Sequence, residues 1–376
     1  MTLPSTCRAA VVSELGAPVE VRELRVPDQL EPGALLVQVD AATVCGSDLH
    51  IVDGSIQGTM PIPVPVVLGH EMTGTVVRIG PGADRDSIDN PVEVGTRLVW
   101  THESCGRCYE CTILEDPRLC RQRRSYGHTS CEQYPYLVGG FAEYCYVFPK
   151  SERLQVPDEI KPEWASAASC ALRTVMHVFD RLGEIKSGQR VVIQGSGPLG
   201  IFAAAVASSR AARDVIVIGG PDERLEIARA WGATATVSVF DHDVDSRLEQ
   251  VMALTEGEGA EIVLELSGGS GAFAEGLAMA RTGGRYVVAG QVGSDEETIR
   301  PSIIARKRLD IRGTWAARIA DYGQALSFMR LNRHRIDFDQ LIGTTFLLDE
   351  VNDALDSART GIEGKAVIRP NVGRTT

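Results

Sequence analysis

Alternating apolar and polar positions fill much of the first third of the chain. Within residues 7–42 the runs A-A-V-V-S, V-E-V-R-E-L-R-V and A-L-L-V-Q-V-D-A are separated by Pro and Gly. Residues 73–80 and 95–100 continue the pattern, and residues 141–148 return to it after an irregular, Cys-rich segment. A period of two with many β-branched residues is typical of half-buried strands. The pattern therefore predicts a β-rich, mostly antiparallel domain.

The pattern changes at Pro162, where one or two helices with Pro in the first turn are predicted. Continuous apolar runs then alternate with helical patterns: R-V-V-I-Q, D-V-I-V-I-G-G and E-I-V-L-E-L-S-G each precede one. Repeated units of this kind predict a parallel sheet covered on both faces, that is, an α/β domain. We place this domain at 172–313. The other domain then comprises 1–171 and 314–376, with two helices and a last strand in its tail.

Composition narrows the class of protein. A chain of 376 residues is too long for one ordinary core, and 44% hydrophobic with 23% charged residues describes a soluble globular protein. The net charge of −12 argues against a nucleic-acid surface. No apolar run approaches the ~20 residues that cross a bilayer, and the first residues lack an export-signal pattern. Nine cysteines, four of them crowded together, favour metal binding in a reducing compartment. We expect a cytoplasmic protein without nucleic-acid or membrane partners.

Two short clusters carry candidate chemistry in the β-rich domain. C-G-S-D-L-H begins at Cys45, and G-H-E supplies His70 and Glu71 after a Pro-rich approach. A cysteine thiolate and a histidine nitrogen suit zinc, and a catalytic zinc keeps one position open for water or substrate. These clusters therefore predict a metal site that needs a further protein ligand from elsewhere in the chain.

A second metal signal lies in an irregular lobe at 102–122. Four cysteines follow one another there at short spacing: Cys105, Cys108, Cys111 and Cys120. Four thiolates this close can complete the tetrahedral shell of a structural zinc, which would hold the lobe folded. Disulfides or an iron–sulfur cluster are the alternatives.

A glycine-rich turn, G-S-G-P-L-G, follows the first strand of the α/β domain. Gly195 permits a tight turn, Gly197 lets a pyrophosphate approach the backbone, and Gly200 lets helix and strand pack closely. Pro198 and Leu199 open the helix, whose N-terminus supplies free N–H groups. In this context the turn predicts a dinucleotide site, the alternative being a glycine-rich turn without a ligand.

The acidic residue that selects NAD about 20 positions further on is missing. The second strand instead ends in Gly219 and Gly220, so no carboxylate would repel a ribose 2′-phosphate. Arg224 is close enough in sequence to pair with such a phosphate, although a solvated residue in the first helical turn is the alternative. Asp222 could cap that helix. These residues favour NADP(H) over NAD(H).

These three motifs, in this order, resemble the zinc-dependent medium-chain dehydrogenase/reductase family, the alcohol dehydrogenases. The resemblance implies a GroES-like β-rich catalytic domain plus a Rossmann doubly wound parallel-sheet domain. It implies that Cys45, His70 and Cys170 bind the catalytic zinc and that Thr174 lies beside the nicotinamide. The spacing C-G-S-D-L-H-I…G-H-E is similar to the threonine and polyol dehydrogenase branch. One residue more than usual separates Cys111 from the fourth lobe cysteine.

The resemblance also implies roles around the zinc. Asp48 would orient the histidine ligand, Glu71 would support the site or approach the metal, Ser47 would take the alcohol proton and His50 would pass it to solvent. Residues Thr101, His102 and Glu103 would line a polar substrate pocket, the alternative being an ordinary loop. Three further interpretations come from the residues alone: Cys7, Cys131 and Cys145 are inert thiols, His177 is structural, and His128, His242 and His334 have no partner that the sequence indicates.

The combined interpretation is a zinc-dependent oxidoreductase that transfers a hydride between NAD(P)(H) and a polar secondary alcohol or ketone. A polyol, a cyclitol or an amino alcohol would be its substrate. The zinc would polarise the substrate oxygen as a Lewis acid. The alternatives are a zinc-free quinone or enoyl reductase and a non-catalytic nucleotide-binding member of the same fold. The resemblance further implies a homodimer or homotetramer, built by pairing of the last Rossmann strand, L-D-I-R-G.

Overall fold

The computed structural model describes residues 3–290 and 296–372. Its strands are β1 (Thr6–Val12), β2 (Glu20–Arg25), β3 (Leu35–Thr43), β4 (Val66–Val67), β5 (Met72–Ile79), β6 (Arg97–Trp100), β7 (Tyr144–Val147), β8 (Arg153–Gln155), β9 (Arg190–Gln194), β10 (Asp214–Gly219), β11 (Ala235–Ser238), β12 (Ala260–Glu265), β13 (Ala280–Val288), β14 (Asp310–Gly313), β15 (Ile342–Leu347) and β16 (Lys365–Arg369). Its α-helices are α1 (Gly46–Asp53), α2 (Tyr109–Thr112), α3 (Pro162–Ala167), α4 (Arg173–Leu182), α5 (Pro198–Ser209), α6 (Asp222–Ala230), α7 (Val244–Leu254), α8 (Ala272–Met279), α9 (Pro301–Lys307), α10 (Ile319–Asn332) and α11 (Val351–Thr360). Within the described ranges no helix has the length and apolar character needed to cross a membrane.

The chain divides into two units. The first comprises Met1–Arg173 and Ala317–Thr376, and the second comprises Thr174–Ala316. These bounds differ by two and three residues from the predicted division at 171/172 and 313/314. The first unit is β-rich. Its larger sheet has the order β15-β16-β3-β5-β6-β8, with β7 paired to β3, and its smaller sheet has the order β2-β1-β4. All these pairs are antiparallel except β15–β16, which confirms the prediction of a mostly antiparallel domain.

The core of the β-rich unit positions the helices that carry the candidate chemistry. Strand β3 is buried along almost its whole length, because its apolar residues face packed neighbours on both sides. Helix α1 contributes Ile51 and Val52 to this core, and α11 contributes Val351 and Leu355. Burial of side chains of this size stabilises each by roughly 1.5–3 kcal/mol relative to exposure. The segment that follows Cys45 is therefore anchored from its apolar side.

The second unit is built on a six-stranded parallel sheet. Its strand order is β11-β10-β9-β12-β13-β14, the order of two mononucleotide-binding halves side by side. All five residues of β9 are buried, as expected for a strand covered on both faces. The predicted Rossmann domain is confirmed. Helix α9 was not predicted, because it is short and only two adjacent residues, Ile303 and Ile304, pack against the core, without full burial.

Candidate active site

Four potential metal ligands converge in the β-rich unit. One ligand atom from each of Cys45, His70, Glu71 and Cys170 lies within 4.8 Å of all the others. Cys45 caps the N-terminus of α1, and the His70–Glu71 pair directly precedes β5. Cys170 lies in a π-helical turn, Ala168–Leu172, an insertion that often marks functional sites in helices. The predicted third ligand is thus brought to the first two.

Asp48 holds several parts of this cluster together. Its side chain is fully buried, Oδ2 accepts a hydrogen bond from the backbone N–H of Cys45 at 2.9 Å, and Oδ1 accepts one from Gly69 at 3.3 Å. Oδ1 also lies 3.4 Å from Nδ1 of His70. This nitrogen is sealed from solvent and has no hydrogen-bond partner among the described residues. This arrangement turns Nδ1 toward Asp48 and leaves Nε2 of His70 for a metal.

The glycine of G-H-E is required by a close approach of two chain segments. Gly69 has φ +89°, and a Cβ there would lie 2.6 Å from the ring and 2.8 Å from the backbone nitrogen of Phe141. Its carbonyl accepts a hydrogen bond from the N–H of Gly140 at 2.8 Å. A larger residue would push the following histidine away from the cluster.

Glu71 is fixed by a buried cation that the sequence analysis missed. Lys365, the first residue of β16, forms a short ion pair with Oε2 of Glu71 and donates to the carbonyl of Val44 at 3.2 Å. Thr43 Oγ1 also donates to Oε2, at 2.5 Å. Burial lowers the pKa of Lys365, but the negative charges of Glu71, Cys45 and Cys170 together outweigh it and the pKa is raised overall. The carboxylate is therefore engaged on the side of Lys365. The sequence signal that could have indicated Lys365 is a single lysine at the start of an apolar strand, K-A-V-I-R.

The donor set of this cluster fits a catalytic zinc. A hydrogen bond from the Cys170 thiol lowers the pKa of Cys45 well below its ordinary value, and nearby His70 acts in the same direction. The same hydrogen bond raises the pKa of Cys170. Neither thiol forms a disulfide. Two sulfur atoms and one imidazole nitrogen form the ligand set with which zinc keeps an open fourth position in alcohol dehydrogenases.

The lobe cysteines form the second cluster. Their sulfur atoms lie within 4.8 Å of one another, with Cys108 Sγ 3.4 Å from Cys111 Sγ and 3.9 Å from Cys120 Sγ. Zinc–sulfur bonds of about 2.3 Å place the ligands of a tetrahedral site about 3.8 Å apart. The amide N–H of Arg107 points at Cys105 Sγ and lowers the pKa of that thiol to about 6. None of the four forms a disulfide, and the geometry fits a structural zinc.

The predicted relay residues lie on one helix but do not touch. Ser47 is half-buried, with Oγ 3.8 Å from Sγ of Cys45. His50 is exposed, and its Nδ1 is 2.8 Å from Oγ of Ser55. No hydrogen bond joins Ser47 to His50 within residues 3–290 and 296–372. A proton passing from one to the other therefore needs a bridging hydroxyl or water.

The three polar residues after β6 have different surroundings. Thr101 is buried, and Glu103 is engaged in an ion pair with Arg124. His102 is half-buried, accepts a hydrogen bond from the N–H of Tyr126 at 3.2 Å and stacks on the ring of that tyrosine. The carboxylate of Glu103 is held by the side chain of Arg124 and by the backbone N–H of Lys150, so its polar group is already engaged.

His128, for which the sequence indicates no partner, has partners in the structure. Its Nδ1 is 2.7 Å from the carbonyl oxygen of Tyr126, and its ring centroid is 5.8 Å from that of His70 and 6.2 Å from that of His102. Burial lowers the pKa of His128 to about 4 and that of His102 well below its ordinary value. Both rings are therefore neutral near pH 7. Cys7, Cys131, Cys145 and His177 are buried.

The glycine-rich turn of the second unit has the shape of a phosphate cradle. Gly195 has φ +109°, and a Cβ there would lie 3.0 Å from the backbone after β12. A Cβ at Gly200 would lie 1.8 Å from the carbonyl oxygen of Gly195, so α5 can approach β9 only with glycine there. Gly197 caps α5, with nothing within 4 Å of where its Cβ would be, and the half-buried Pro198 and Leu199 follow.

The end of β10 explains the missing acidic residue. A Cβ at Gly219 would lie 2.3 Å from Oγ of Ser196, inside the glycine-rich turn. That hydroxyl accepts a hydrogen bond from the N–H of Gly220 at 2.8 Å and donates to its carbonyl at 2.9 Å. A Cβ at Gly220 would in turn lie 2.6 Å from the ring of Phe240. Any side chain at Gly219 would therefore displace Ser196.

The remaining predicted residues lie at helix starts. Pro221, not Asp222, caps α6, so the expected cap by Asp222 is wrong and this carboxylate is exposed in the first turn. Arg224 is half-buried in the same turn, and burial lowers its pKa. Thr174 is half-buried in the first turn of α4.

Comparisons with known proteins decide the family. The model of the alcohol dehydrogenase GroES-like domain matches residues 31–158, and that of the zinc-binding dehydrogenase matches residues 198–330. A 5-exo-hydroxycamphor dehydrogenase of Pseudomonas putida is 34% identical over 98% of this chain and 99% of its own length. The chain belongs to the zinc-dependent medium-chain dehydrogenase/reductase family. The resemblance inferred from the three motifs is confirmed.

Other members of this family are similar to the chain over nearly its whole length. An L-threonine 3-dehydrogenase of Pyrococcus horikoshii is 31% identical over 96% of this chain and 97% of its own length. The structure of an alcohol dehydrogenase from Thermotoga maritima has a TM-score of 0.89 at 32% identity, covering 97% of this chain and 100% of that one. A zinc-binding dehydrogenase from Sinorhizobium meliloti, solved with NADP, has a TM-score of 0.81 at 27% identity, covering 98% and 100%. This medium-chain dehydrogenase is therefore a zinc-dependent, NAD(P)-dependent alcohol/ketone oxidoreductase.

Proposed function

We propose that the chain interconverts a polar secondary alcohol and its ketone at a zinc bound by Cys45, His70 and Cys170. The convergence of these ligand atoms within 4.8 Å, without a disulfide, carries this proposal. The relatives named for hydroxycamphor and for L-threonine act on molecules whose hydroxyl groups are secondary. The half-buried His102 beside the cluster favours a substrate with a further polar group. A zinc-free reductase would not need this ligand set.

When bound, the zinc would supply Lewis-acid polarisation of the substrate oxygen, and the nicotinamide would supply or accept the hydride. The chain orients both. Asp48 fixes the ring of His70, Lys365 draws the carboxylate of Glu71 to itself, and Ser47 receives the hydroxyl proton. His50 passes that proton to solvent through a bridging group, since the side chains of Ser47 and His50 do not touch.

We expect Ser47→Ala to lower kcat by about 10²–10³-fold, in the range of a lost general acid–base contact.

Metal analysis tests the site directly. We propose two zinc ions per chain, one in each cysteine cluster. Cys170→Ala should leave one zinc per chain and abolish alcohol oxidation, while circular dichroism shows a folded protein. Cys131→Ala, at a buried thiol outside both clusters, serves as the control and should retain two zinc ions. One zinc in the unmutated protein would refute the two-site assignment.

We propose NADP(H) as the preferred cofactor. The small residue at Gly219, enforced by Ser196, leaves no carboxylate at the end of β10, and Arg224 follows in the first turn of α6. The Sinorhizobium meliloti relative solved with NADP supports this choice.

Arg224→Ala should raise the KM for NADPH by tenfold or more and leave the KM for NADH nearly unchanged. Arg229→Ala, on the same helix but bonded to Thr236, is the control. Equal affinity of the native enzyme for NADPH and NADH would contradict the preference.

We propose further that the enzyme is a cytoplasmic homodimer or homotetramer. The absence of disulfides among its nine cysteines supports a reducing compartment. Strand β14 lies at the end of the six-stranded order and pairs with β13. Its other edge can pair with a second copy of the chain.

A further inference from the structure

Two histidines that are not candidate metal ligands stand beside the ligand His70. The ring centroids of His70 and His128 are 5.8 Å apart, and those of His128 and His102 are 6.2 Å apart with the two rings nearly perpendicular. Both rings are half-buried, so they belong to the wall of the site rather than to the core. What they can bind depends on which ring nitrogens carry protons.

One residue, Tyr126, sets the tautomer of both rings. Its backbone N–H donates to Nδ1 of His102 at 3.2 Å, and its carbonyl oxygen accepts from Nδ1 of His128 at 2.7 Å. An amide N–H can only donate and a carbonyl oxygen can only accept. Nδ1 of His102 must therefore be unprotonated, which places the proton on Nε2. Nδ1 of His128 must carry its proton, which leaves Nε2 of the neutral ring as an acceptor.

Tyr126 is itself held rigidly. It is 1% exposed, and its hydroxyl lies 2.9 Å from Oγ of Ser151 and accepts a hydrogen bond from the N–H of Phe148 at 2.9 Å. Its ring stacks on His102 and packs against Phe148. The two histidine tautomers therefore depend on a residue that is buried and held by several contacts, as a specificity site requires.

The outer nitrogens of both rings are free to bind a ligand. Within the part of the chain that the structure describes, Nε2 of His102 and Nε2 of His128 have no hydrogen-bond partner. Neither belongs to the polar atoms that are sealed from solvent without a partner. The wall of the site thus presents one donor and one acceptor close together, next to a metal ligand.

We propose that His102 and His128 bind a second hydroxyl of the substrate, on the carbon next to the one that reacts. A hydroxyl is the group that both accepts a hydrogen bond from His102 Nε2–H and donates one to His128 Nε2. The preferred substrates are therefore vicinal diols and α-hydroxyketones, including polyols and cyclitols. This inference rests on the proposed function and selects one class among its polar alcohols.

Hydrogen bonding argues against the amino-alcohol class. An ammonium group donates hydrogen bonds but cannot accept one, so it would leave the N–H of His102 facing another donor. The pair therefore separates diols from amino alcohols as well as from simple alcohols.

Three cyclic compounds of matched size test the proposal: trans-cyclohexane-1,2-diol, cyclohexanol and trans-2-aminocyclohexanol. Calorimetry on the zinc-loaded chain measures their binding, and kcat/KM with cofactor measures their turnover. We expect the diol to be favoured over each of the others by about 10–100-fold, as two hydrogen bonds would give. His128→Leu and His102→Leu should remove most of this ratio. His128→Gln, which keeps an acceptor, should retain much of it.

The control is His334→Leu, at an exposed histidine near the end of α10, which should keep the native ratio. Zinc content and melting temperature establish that each variant is folded. A native ratio near one, or a ratio that His128→Leu leaves unchanged, would overturn the assignment of the pair. Failure of the zinc-loaded enzyme to turn over any of the three compounds would count against the proposed function. The binding ratio would still decide the role of the two histidines.

Discussion

At the scale of single residues, the site depends on a buried charge pair that lies beside the candidate metal ligands. Glu71 and Lys365 are both almost inaccessible to solvent, and each is the main charged partner of the other. Removing one member of such a pair leaves an uncompensated buried charge, which costs about 3–5 kcal/mol. Replacing both members by neutral groups of similar size costs much less.

We therefore predict a strong coupling between these two positions. Lys365→Met should lower the free energy of unfolding by about 3–5 kcal/mol, and the double variant Glu71→Gln/Lys365→Met should recover more than half of that loss. Chemical denaturation of the zinc-loaded proteins measures both. Lys161→Met, which breaks the exposed ion pair with Asp339, should cost about 1 kcal/mol or less. Additive losses in the double variant would show that the pair is not coupled.

The sequence identified the site residues that lie in short local motifs of the chain. Cys45 and Asp48 lie in one helical turn, and His70 sits in a G-H-E motif whose glycine is fixed by a steric clash. His128 could not be found in this way, because its place depends on the backbone of Tyr126, which also holds a histidine 24 residues earlier in the sequence. Lys365 reaches Glu71 across 294 residues, through strand pairing that no local spacing encodes.

At the scale of elements, two glycines of the nucleotide-binding region have different roles, one at the end of β10 and one in the glycine-rich turn. Gly219 has no room for a Cβ because Ser196 stands 2.3 Å away, whereas Gly197 faces open space at the start of α5. Gly219 therefore allows the end of β10 to pack against the glycine-rich turn. Gly197 leaves space at the N-terminus of α5, where a pyrophosphate is stabilised by free N–H groups.

Two alanine substitutions should separate these roles. Gly219→Ala should lower the free energy of unfolding by about 1–3 kcal/mol, the cost of overpacking a filled site. Gly197→Ala should change stability by less than about 1 kcal/mol but weaken binding of the nicotinamide cofactor. Urea denaturation and fluorescence titration with NADPH measure the two effects. Unaltered cofactor affinity in Gly197→Ala would contradict the phosphate role of this turn.

The cysteine lobe is a second element whose order depends on side chains outside a core. Four of its apolar side chains are about half exposed or more: Tyr109, Ile113, Leu114 and Leu119. An element that buries so little apolar surface needs another source of stability, and four convergent thiols supply a metal site.

We predict that Cys111→Ser removes one zinc and makes the lobe sensitive to trypsin near Arg118 and Arg121, while the catalytic zinc is retained. Cys7→Ser should leave the lobe resistant. A zinc-depleted lobe that still resists trypsin would refute the structural role.

At the scale of the whole molecule, the sequence predicted the architecture well because two different periods of hydrophobicity divide the chain. The alternation before Pro162 and the continuous apolar runs after it correspond to an antiparallel and a parallel sheet. The domain bounds differ by only a few residues from the observed division. The pattern could not predict α9, which buries no residue. Nor could it show which edge of a sheet remains open to a partner.

That open edge gives the last prediction. Strand β14 ends the six-stranded order on one side and β11 ends it on the other. A lysine on an edge strand discourages pairing with another strand, because its charge would have to be desolvated. If β14 builds the oligomer, light scattering of the native enzyme should give a multiple of 40.5 kDa, and Ile311→Lys should lower the mass. Val239→Lys, at an exposed position next to β11, should keep the native mass. A native mass of one chain, or an unchanged mass in Ile311→Lys, would rule out assembly through this edge.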